Sequence, residues 1–417
     1  MVLMSRGQAL QLQQTEKNPG LLPVKEGGGG GGGSGSGMSK SNGYERTPLG
    51  DSVDKASMRL LKECFESASD KNVIASPLGV LSLLAMVSAG SEGETRDEIM
   101  QLLNCTNYVK LEKSYGSLTE KLSSMDSDFL VLANRVYVSK EFTLCEKFSN
   151  EVKETYKSKV EQLDFIEDRK TAVKEINQWA CEKTQGHITS PVDENMFNAE
   201  TVAALFNVIF FKGQWNVPFK AKDTREEDFY VTPSKTVKKP MMKLYQSLFY
   251  HKDAELGASM VELPYKEQGF RMVVVLPDEK DGLQKVVEKL AQRGLLEHVF
   301  ELRPAERQVV LDMPKFEIES KLDFNSILPT VGVSRIFTEG AHSVVRERAV
   351  KVSKVFQQAF VKVDEEGVTA GAFTGAIYVL RSANSRPPPP IYFKVDHPFL
   401  FAILHEDIVL FTGTYTH

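Results

Sequence analysis

Seven histidines (His187, His251, His298, His342, His397, His405, His417) and four cysteines (Cys64, Cys105, Cys145, Cys181) are this chain's first candidates for metal binding or nucleophilic chemistry. A zinc protease needs two histidines four apart around a glutamate, and a serine hydrolase of the common elbow type needs Gly-x-Ser-x-Gly. Neither pattern occurs in the part of the chain that should fold. The cysteines lie far apart, with no Cys-x-x-Cys pair and no histidines at zinc spacing, so they read as free thiols, mostly buried. No metal and no cofactor is implied. The cluster "KTVKKPMMK" (residues 235–243) could hold a polyanion, but its plainer reading is a solvated hairpin edge guarded by lysines.

One stretch is different in kind. "DEEGVTAGAFTGAIYVLRSANSRPPPP" (residues 364–390) contains thirteen consecutive uncharged and mostly small residues, 367–379, then Leu380, Arg381 and Ser382, and four prolines at 387–390. Its alternate residues Val368, Ala370, Ala372, Thr374 and Ala376 are all small or medium, and the opposite set carries no charge either. Such a segment can enter a packed sheet as a strand. An ordinary buried strand is seldom so rich in Gly and Ala.

The elements that would carry this segment can be read from the rest of the chain. Its 417 residues are 41% hydrophobic and 26% charged, ordinary for a globular protein, with a net charge of −5. Beyond residue 50 the chain holds 46 basic against 53 acidic side chains, which excludes nucleic-acid binding by bulk electrostatics. Residues 25–43, "KEGGGGGGGSGSGMSKSNG", cannot bury anything, so residues 1–47 are expected to be a disordered Gly/Ser-rich tail ahead of one domain at 48–417. The first twenty residues lack a continuous apolar core and show no signal peptide. The longest apolar stretch, residues 72–90, is broken by Ser76-Pro77 and suits a buried helix, not a membrane span.

From Asp51 the spacing becomes helical, with Asp51 or Ser52 as candidate caps. Helical patterns follow Pro77 and recur up to "AVKEINQWACEKTQGHI", while the second half is dominated by strand patterns such as "FRMVVVLP" and "HPFLFAILHEDIVLFTGTYT". Helices early and strands late predict an α+β fold, and the continuously apolar strands predict a sheet covered on both faces.

Near the C-terminus "FKVDHPFLFAI" resembles the signature of the serpins, the serine protease inhibitor superfamily. "NVIASPLGVLSLLAMVSAGSEGETRDEI", "INQWACEKTQGHI", "LFNVIFFKGQW", "VELPY" and "MPKFEIES" resemble further family segments in the family's order, and "VDEEGVTAGAF" resembles the hinge of its reactive-centre loop. The resemblance covers nearly all of residues 51–417. It implies the serpin fold, with helices early in the chain packed on large mixed β-sheets and an exposed loop near the C-terminus. It also implies the family's known mechanism, in which the loop is cleaved as protease bait and inserts as an extra strand of the main sheet.

By that resemblance the hinge and inserting loop are Glu365, Glu366, Gly367, Val368, Ala370, Ala372 and Thr374. Counting fourteen residues past the hinge glycine puts the scissile bond at Arg381-Ser382, and arginine there suits trypsin-like proteases, held as a covalent acyl complex. Counting back from Pro398 lands nearer Arg386, and Leu380 would imply chymotrypsin-like targets. The sheet opening and gate map to Ser76, Asn207, Trp215, Lys315 and Gln357, with Glu365 expected to pair with Lys315. Three departures from the family pattern stand out: Val368 for Thr, Gln357 for His and Gly79 for Ser. The implied function is suicide inhibition of trypsin-like serine proteases by a monomer that is not an enzyme. The alternatives are a non-inhibitory carrier, chaperone or storage serpin, or a cross-class inhibitor of a cysteine protease. Membrane partners are not implied, and "NYVKLEKSYGSLTEKL" balances its charges too evenly for a strong heparin site. The family resemblance suggests an extracellular location, and the missing signal a cytoplasmic one.

Overall fold

The computed structural model describes residues 40–41, 43–126, 129–198, 200–367 and 388–417. Within residues 38–417, helices dominate the first half and three larger sheets the second. The fold class is α+β, as expected.

The five-stranded sheet runs in the order Phe316–Asp323, Val352–Val363, Ala203–Phe211, Leu130–Ser139, Lys159–Leu163. Its middle pair, Val352–Val363 and Ala203–Phe211, is parallel, and each of these strands is antiparallel to its other neighbour. All nine residues of Ala203–Phe211 are buried. Period-two geometry divides them between two cores: Leu205, Ile209 and Phe211 face the main core, while Ala204, Phe206 and Val208 face a second cluster under the helix Arg169–Lys183. This split explains why the strand is apolar without alternation.

Below the sheet, the helix Pro77–Ala89 buries twelve of its thirteen residues against that sheet and the strand Ile408–Tyr415. The latter belongs to the seven-stranded sheet, whose central strand Phe270–Pro277 is buried at every position. The four-stranded sheet orders Ile391–Lys394, Val309–Pro314, Lys235–Gln246 and Arg225–Thr232. Residues 235–240 pair only with Arg225–Thr232, so the lysine cluster does border a hairpin edge.

Three expectations need correction. The first helix, Pro48–Ser67, is capped by Thr47, whose hydroxyl accepts from Gly50 N at 3.0 Å; Asp51 and Ser52 lie inside it. Proline at the first helical position fixes that start, because its missing N–H costs nothing there. Residues 43–47, placed by composition in the tail, are packed. The Tyr44 ring lies 4.4 Å from the buried Arg271 guanidinium, and Thr47 N and Oγ1 each donate to Asp407 at 2.6 Å. Residues 1–39 lie outside the described residues. Of the cysteines only Cys64 is buried, its thiol pushed up to about 12 by desolvation, while Cys105, Cys145 and Cys181 are partly exposed. Each of these three sits at or beside a helix end, where the core does not close over the sulfur.

Candidate functional site

The strand Val352–Val363 ends in a tight turn, Asp364 to Gly367, closed by an antiparallel bridge between those two residues. Gly367 has φ +97°, and a Cβ there would come within 2.4 Å of Gly213 O and 2.6 Å of Trp215 N. Both the conformation and the space therefore require glycine. The segment after Ala203–Phe211 clamps this turn: Trp215 N donates to Glu366 O (3.1 Å), Phe219 N to Glu365 O (2.8 Å), and Trp215 Nε1 to Asp364 O (2.9 Å). Trp215 is fully buried, stacked on Tyr265 with centroids 4.6 Å apart.

Glu365 Oε2 lies 2.7 Å from Lys315 Nζ, and Glu365 Oε1 accepts from Thr224 Oγ1 at 2.8 Å. Burial pushes the Glu365 carboxyl upward. The hydrogen bonds from Lys315 and Thr224 outweigh it and hold the group below the usual range. Lys315 heads the strand Phe316–Asp323, so this pair and the Trp215 clamp tie the turn to both sides of the sheet's top.

Further down the same strands, the parallel register sets Gln357 opposite Asn207, and Asn207 lies opposite Asn134. Gln357 Nε2 donates to Asn207 Oδ1 (2.7 Å) and Ser76 O (2.7 Å), and its Oε1 accepts from Ser76 N (2.8 Å). Asn207 Nδ2 donates to Asn134 Oδ1 at 2.7 Å, and Ser76 Oγ to Leu410 O at 2.8 Å. Ser76, Asn207 and Gln357 are completely buried. Because the Gln357 amide carries both donors and an acceptor, it bonds to all three neighbouring groups at once. The two departures at this cluster are coupled. A Cβ on Gly79 would fall 2.2 Å from Asn207 Oδ1, so glycine at 79 leaves the space in which Asn207 meets Gln357.

On the outer face, His187 stacks on Phe210 at 4.3 Å and lies 6.2 Å from Phe360, one ring on each strand of the parallel pair. Sequence reasoning found no role for His187, Thr224 or Tyr265. His187 and Tyr265 lie in the family-like segments "INQWACEKTQGHI" and "VELPY", but their contacts with this site, like that of Thr224, appear only in three dimensions. Among the expected site residues, the structure gathers Glu365, Glu366, Gly367, Trp215 and Lys315 at the top of the parallel pair. Ser76, Asn207 and Gln357 meet at its middle. Val368, Ala370, Ala372, Thr374, Arg381 and Ser382 lie outside the described residues.

Two expected outcomes follow from this geometry. Gly79→Ser should force Asn207 off Gln357 and cost about 1–3 kcal/mol as an overpacked buried site. A urea midpoint equal to the parent's would show that the cluster does not depend on glycine. Glu365→Lys places two cations where a half-buried pair stood, so the turn should loosen and mild heating should yield loop-into-sheet polymers on native gels. A variant that stays monomeric like the parent counts against the gate role.

The chain matches the family model Serpin (serine protease inhibitor) over residues 51–417. Antitrypsin and Antichymotrypsin-2 of Bombyx mori are each 31% identical to it over 369 residues, spanning 88% of this chain and 93% and 97% of theirs. The crystal structure of Serpin48, a highly specific serpin of Tenebrio molitor, superimposes with a TM-score of 0.77 at 31% identity, covering 88% of this chain and 98% of that one. With its five-stranded sheet, clamped turn and buried amide cluster, this chain belongs to the serpin family.

Proposed function

We propose that this protein is a suicide-substrate inhibitor of trypsin-like serine proteases, offering Arg381-Ser382 as the bond to be cut. One observation carries the reading. The Asp364–Gly367 bridge begins an antiparallel return along Val352–Val363. Continued in that register, residue 368 comes opposite Val363 and residue 379 opposite Val352, and the strand is twelve residues long. The uncharged run of the sequence ends one residue further, at Leu380, so Arg381 falls just beyond the sheet.

The facing side chains agree with this register. On the existing strand, Val352, Phe356 and Gln358 are buried on one face, while Val355, Gln357, Ala359, Val361 and Val363 are buried along the other. Opposite them would come Ala376, Thr374, Ala372, Ala370 and Val368. Within 368–376 the one polar side chain of the incoming face, Thr374, falls opposite Gln357, the one polar side chain of the facing set. The neighbouring strands are mutually parallel, so a strand running back between them is antiparallel to both. It exchanges one slanted parallel ladder for two antiparallel ones, which pair more stably per residue.

The chemistry then balances as follows. The protease serine attacks the Arg381 carbonyl, the Ser382 amine leaves, and an ester joins Arg381 to the enzyme. Cleavage frees residues 368–381 to enter the sheet, carrying the ester with them. Insertion that outruns hydrolysis by water leaves the protease trapped. The chain is consumed and does not turn over, so it acts as a partner of the protease and is itself no enzyme. It needs no cofactor or metal, and it works as a single chain whose domain is proposed to start at residue 48. The two Bombyx mori relatives differ in the specificity their names state while matching this chain equally, so its preference for arginine rests on its own bait residue.

Arg381→Ala should abolish SDS-resistant complexes with trypsin and leave thermal unfolding unchanged, as an exposed loop change usually does. Sequencing the fragment trypsin releases from the parent should give Ser382 as the new N-terminus; a cut after Leu380 or Arg386 overturns the register. Val368→Arg would carry an unpaired charge into a packed interior, at a cost of several kcal/mol. That variant should be cleaved at Arg381 as an ordinary substrate and release active trypsin. If it traps trypsin as completely as the parent, insertion is not the mechanism.

A further inference from the structure

The end of the helix Gly93–Leu102 and the start of the helix Tyr108–Ser123 meet the first helix around a pocket of about 120 Å³. Pro48, Leu49 and Leu111 give it apolar walls, and Cys105, Lys110 and Tyr115 line it with reactive and polar groups. The turn between the two helices fixes the thiol there. Asn104 takes a left-handed φ of +46°, and Cys105 N donates back to Met100 O at 2.9 Å. Cys105 forms no disulfide and is partly exposed, with Sγ donating to Asn107 O at 3.3 Å.

Donors without acceptors surround that sulfur. Tyr115 is 2% exposed, and its hydroxyl has no hydrogen-bond partner among the described residues. An orphan of this kind is rare in a native interior and points to a missing acceptor. Burial pushes the phenol upward, and the neighbouring Cys105 adds to the rise, so the hydroxyl stays a neutral donor beside the sulfur. Lys110 is exposed, and its ammonium pairs with no described residue. The helix Tyr108–Ser123 also presents its positive end here, where Asn107 Oδ1 caps Lys110 N at 3.0 Å. An ammonium, a helix N-terminus and a buried hydroxyl donor together suit a carboxylate.

We propose that Cys105 is a modification site for a small thiol that carries a carboxylate, held in this pocket as a mixed disulfide. The co-reactant is the symmetric disulfide of that thiol. The Cys105 thiolate attacks one of its sulfurs, a new S–S bond forms as the old one breaks, and Cys105 is oxidised. The departing half is reduced, leaving as a thiolate that takes up the proton Cys105 released. The half that stays directs its carboxylate to Lys110 and the Tyr115 hydroxyl. The pocket has room for several heavy atoms and not for a peptide. Cys145 and Cys181 are partly exposed as well but lie outside the pocket, so exposure alone does not distinguish the three thiols. Nothing in this site depends on the inhibitory reading.

The test uses the full chain, cystine as probe and the disulfide of 2-mercaptoethanol as a control without carboxylate. Peptide mass mapping follows each thiol, and a free peptide spanning residues 100–110 gives the intrinsic rate for each reagent. Cystine should load Cys105 at least about tenfold faster than Cys145 or Cys181, relative to the control reagent, and dithiothreitol should reverse the adduct. Lys110→Met and Tyr115→Phe should each erase most of that preference while leaving the rate with the control reagent at the parental value. A residue needed only for the fold would change both rates together. Lys110 is exposed, so its variant decides the outcome even if Tyr115→Phe unfolds. Equal loading of the three thiols by cystine overturns the site, as does a parental preference for cystine that survives Lys110→Met and Tyr115→Phe.

Discussion

The parallel ladder between Ala203–Phe211 and Val352–Val363 is the constraint on which the other features of the structure depend. Each strand satisfies the other's backbone groups, yet the chain leaving the end of Val352–Val363 could satisfy both strands in antiparallel fashion. On the proposed mechanism the fold holds a pairing that its own sequence improves upon when the loop inserts. Backbone groups in this dry interior cannot be left open during the exchange, because each unpaired buried group costs about 1–3 kcal/mol. The barrier lies in parting the ladder, and the surrounding side chains set its height.

Those side chains act at three levels along the seam. At the top, Lys315, Thr224 and the Trp215 clamp hold the turn through one ion pair, one hydroxyl and three backbone acceptors. At the middle, Gln357 fastens the two strands to each other and to the start of the helix Pro77–Ala89. On the outside, His187 rests on one ring from each strand. None of these restraints is large alone. They share a single displacement, the separation of the two strands, so they resist it together.

Much of this was legible in the sequence where the signal is local or periodic. The apolar strand 203–211 follows from its continuous apolar run and the hinge glycine from the family resemblance, whereas the uncharged run from 368 on lies outside the described residues. Gly367 proved to need glycine twice over, for φ and for the approach of Gly213 and Trp215. Other features were not legible because they depend on which distant segments meet. The cap at Thr47 followed from a local signal, Pro48 at the first helical position, whereas the bond that Thr47 donates to Asp407, 360 residues away, could not be read. The packing of Tyr44 on Arg271 likewise could not be read from a glycine-rich neighbourhood. The thiols read as mostly buried came out partly exposed at helix ends, where composition carries no information about closure.

Gly79 and Gln357 read, from sequence, as two separate departures from the family pattern. In the structure they are one substitution made at two places. An imidazole at 357 would offer two ring nitrogens, one of which changes charge state between about pH 5 and 8. The Gln357 amide offers three bonding positions and no charge change, and the Asn207 side chain that meets it occupies the space that a side chain at position 79 would need. The middle of the seam thus keeps its hydrogen bonds while losing its only titratable member. What remains titratable near the seam sits at its top and on its outside. The Glu365 carboxyl is held below the usual range, so its pairing with Lys315 persists well into acid and is lost only as pH falls through that lowered value. His187 is held below its ordinary value by desolvation and Lys212, so it stays neutral on its two rings at neutral pH. Under the proposed insertion mechanism, the strand exchange is gated by geometry and not by protonation across the neutral range, which leaves cleavage of the loop as the event that releases it.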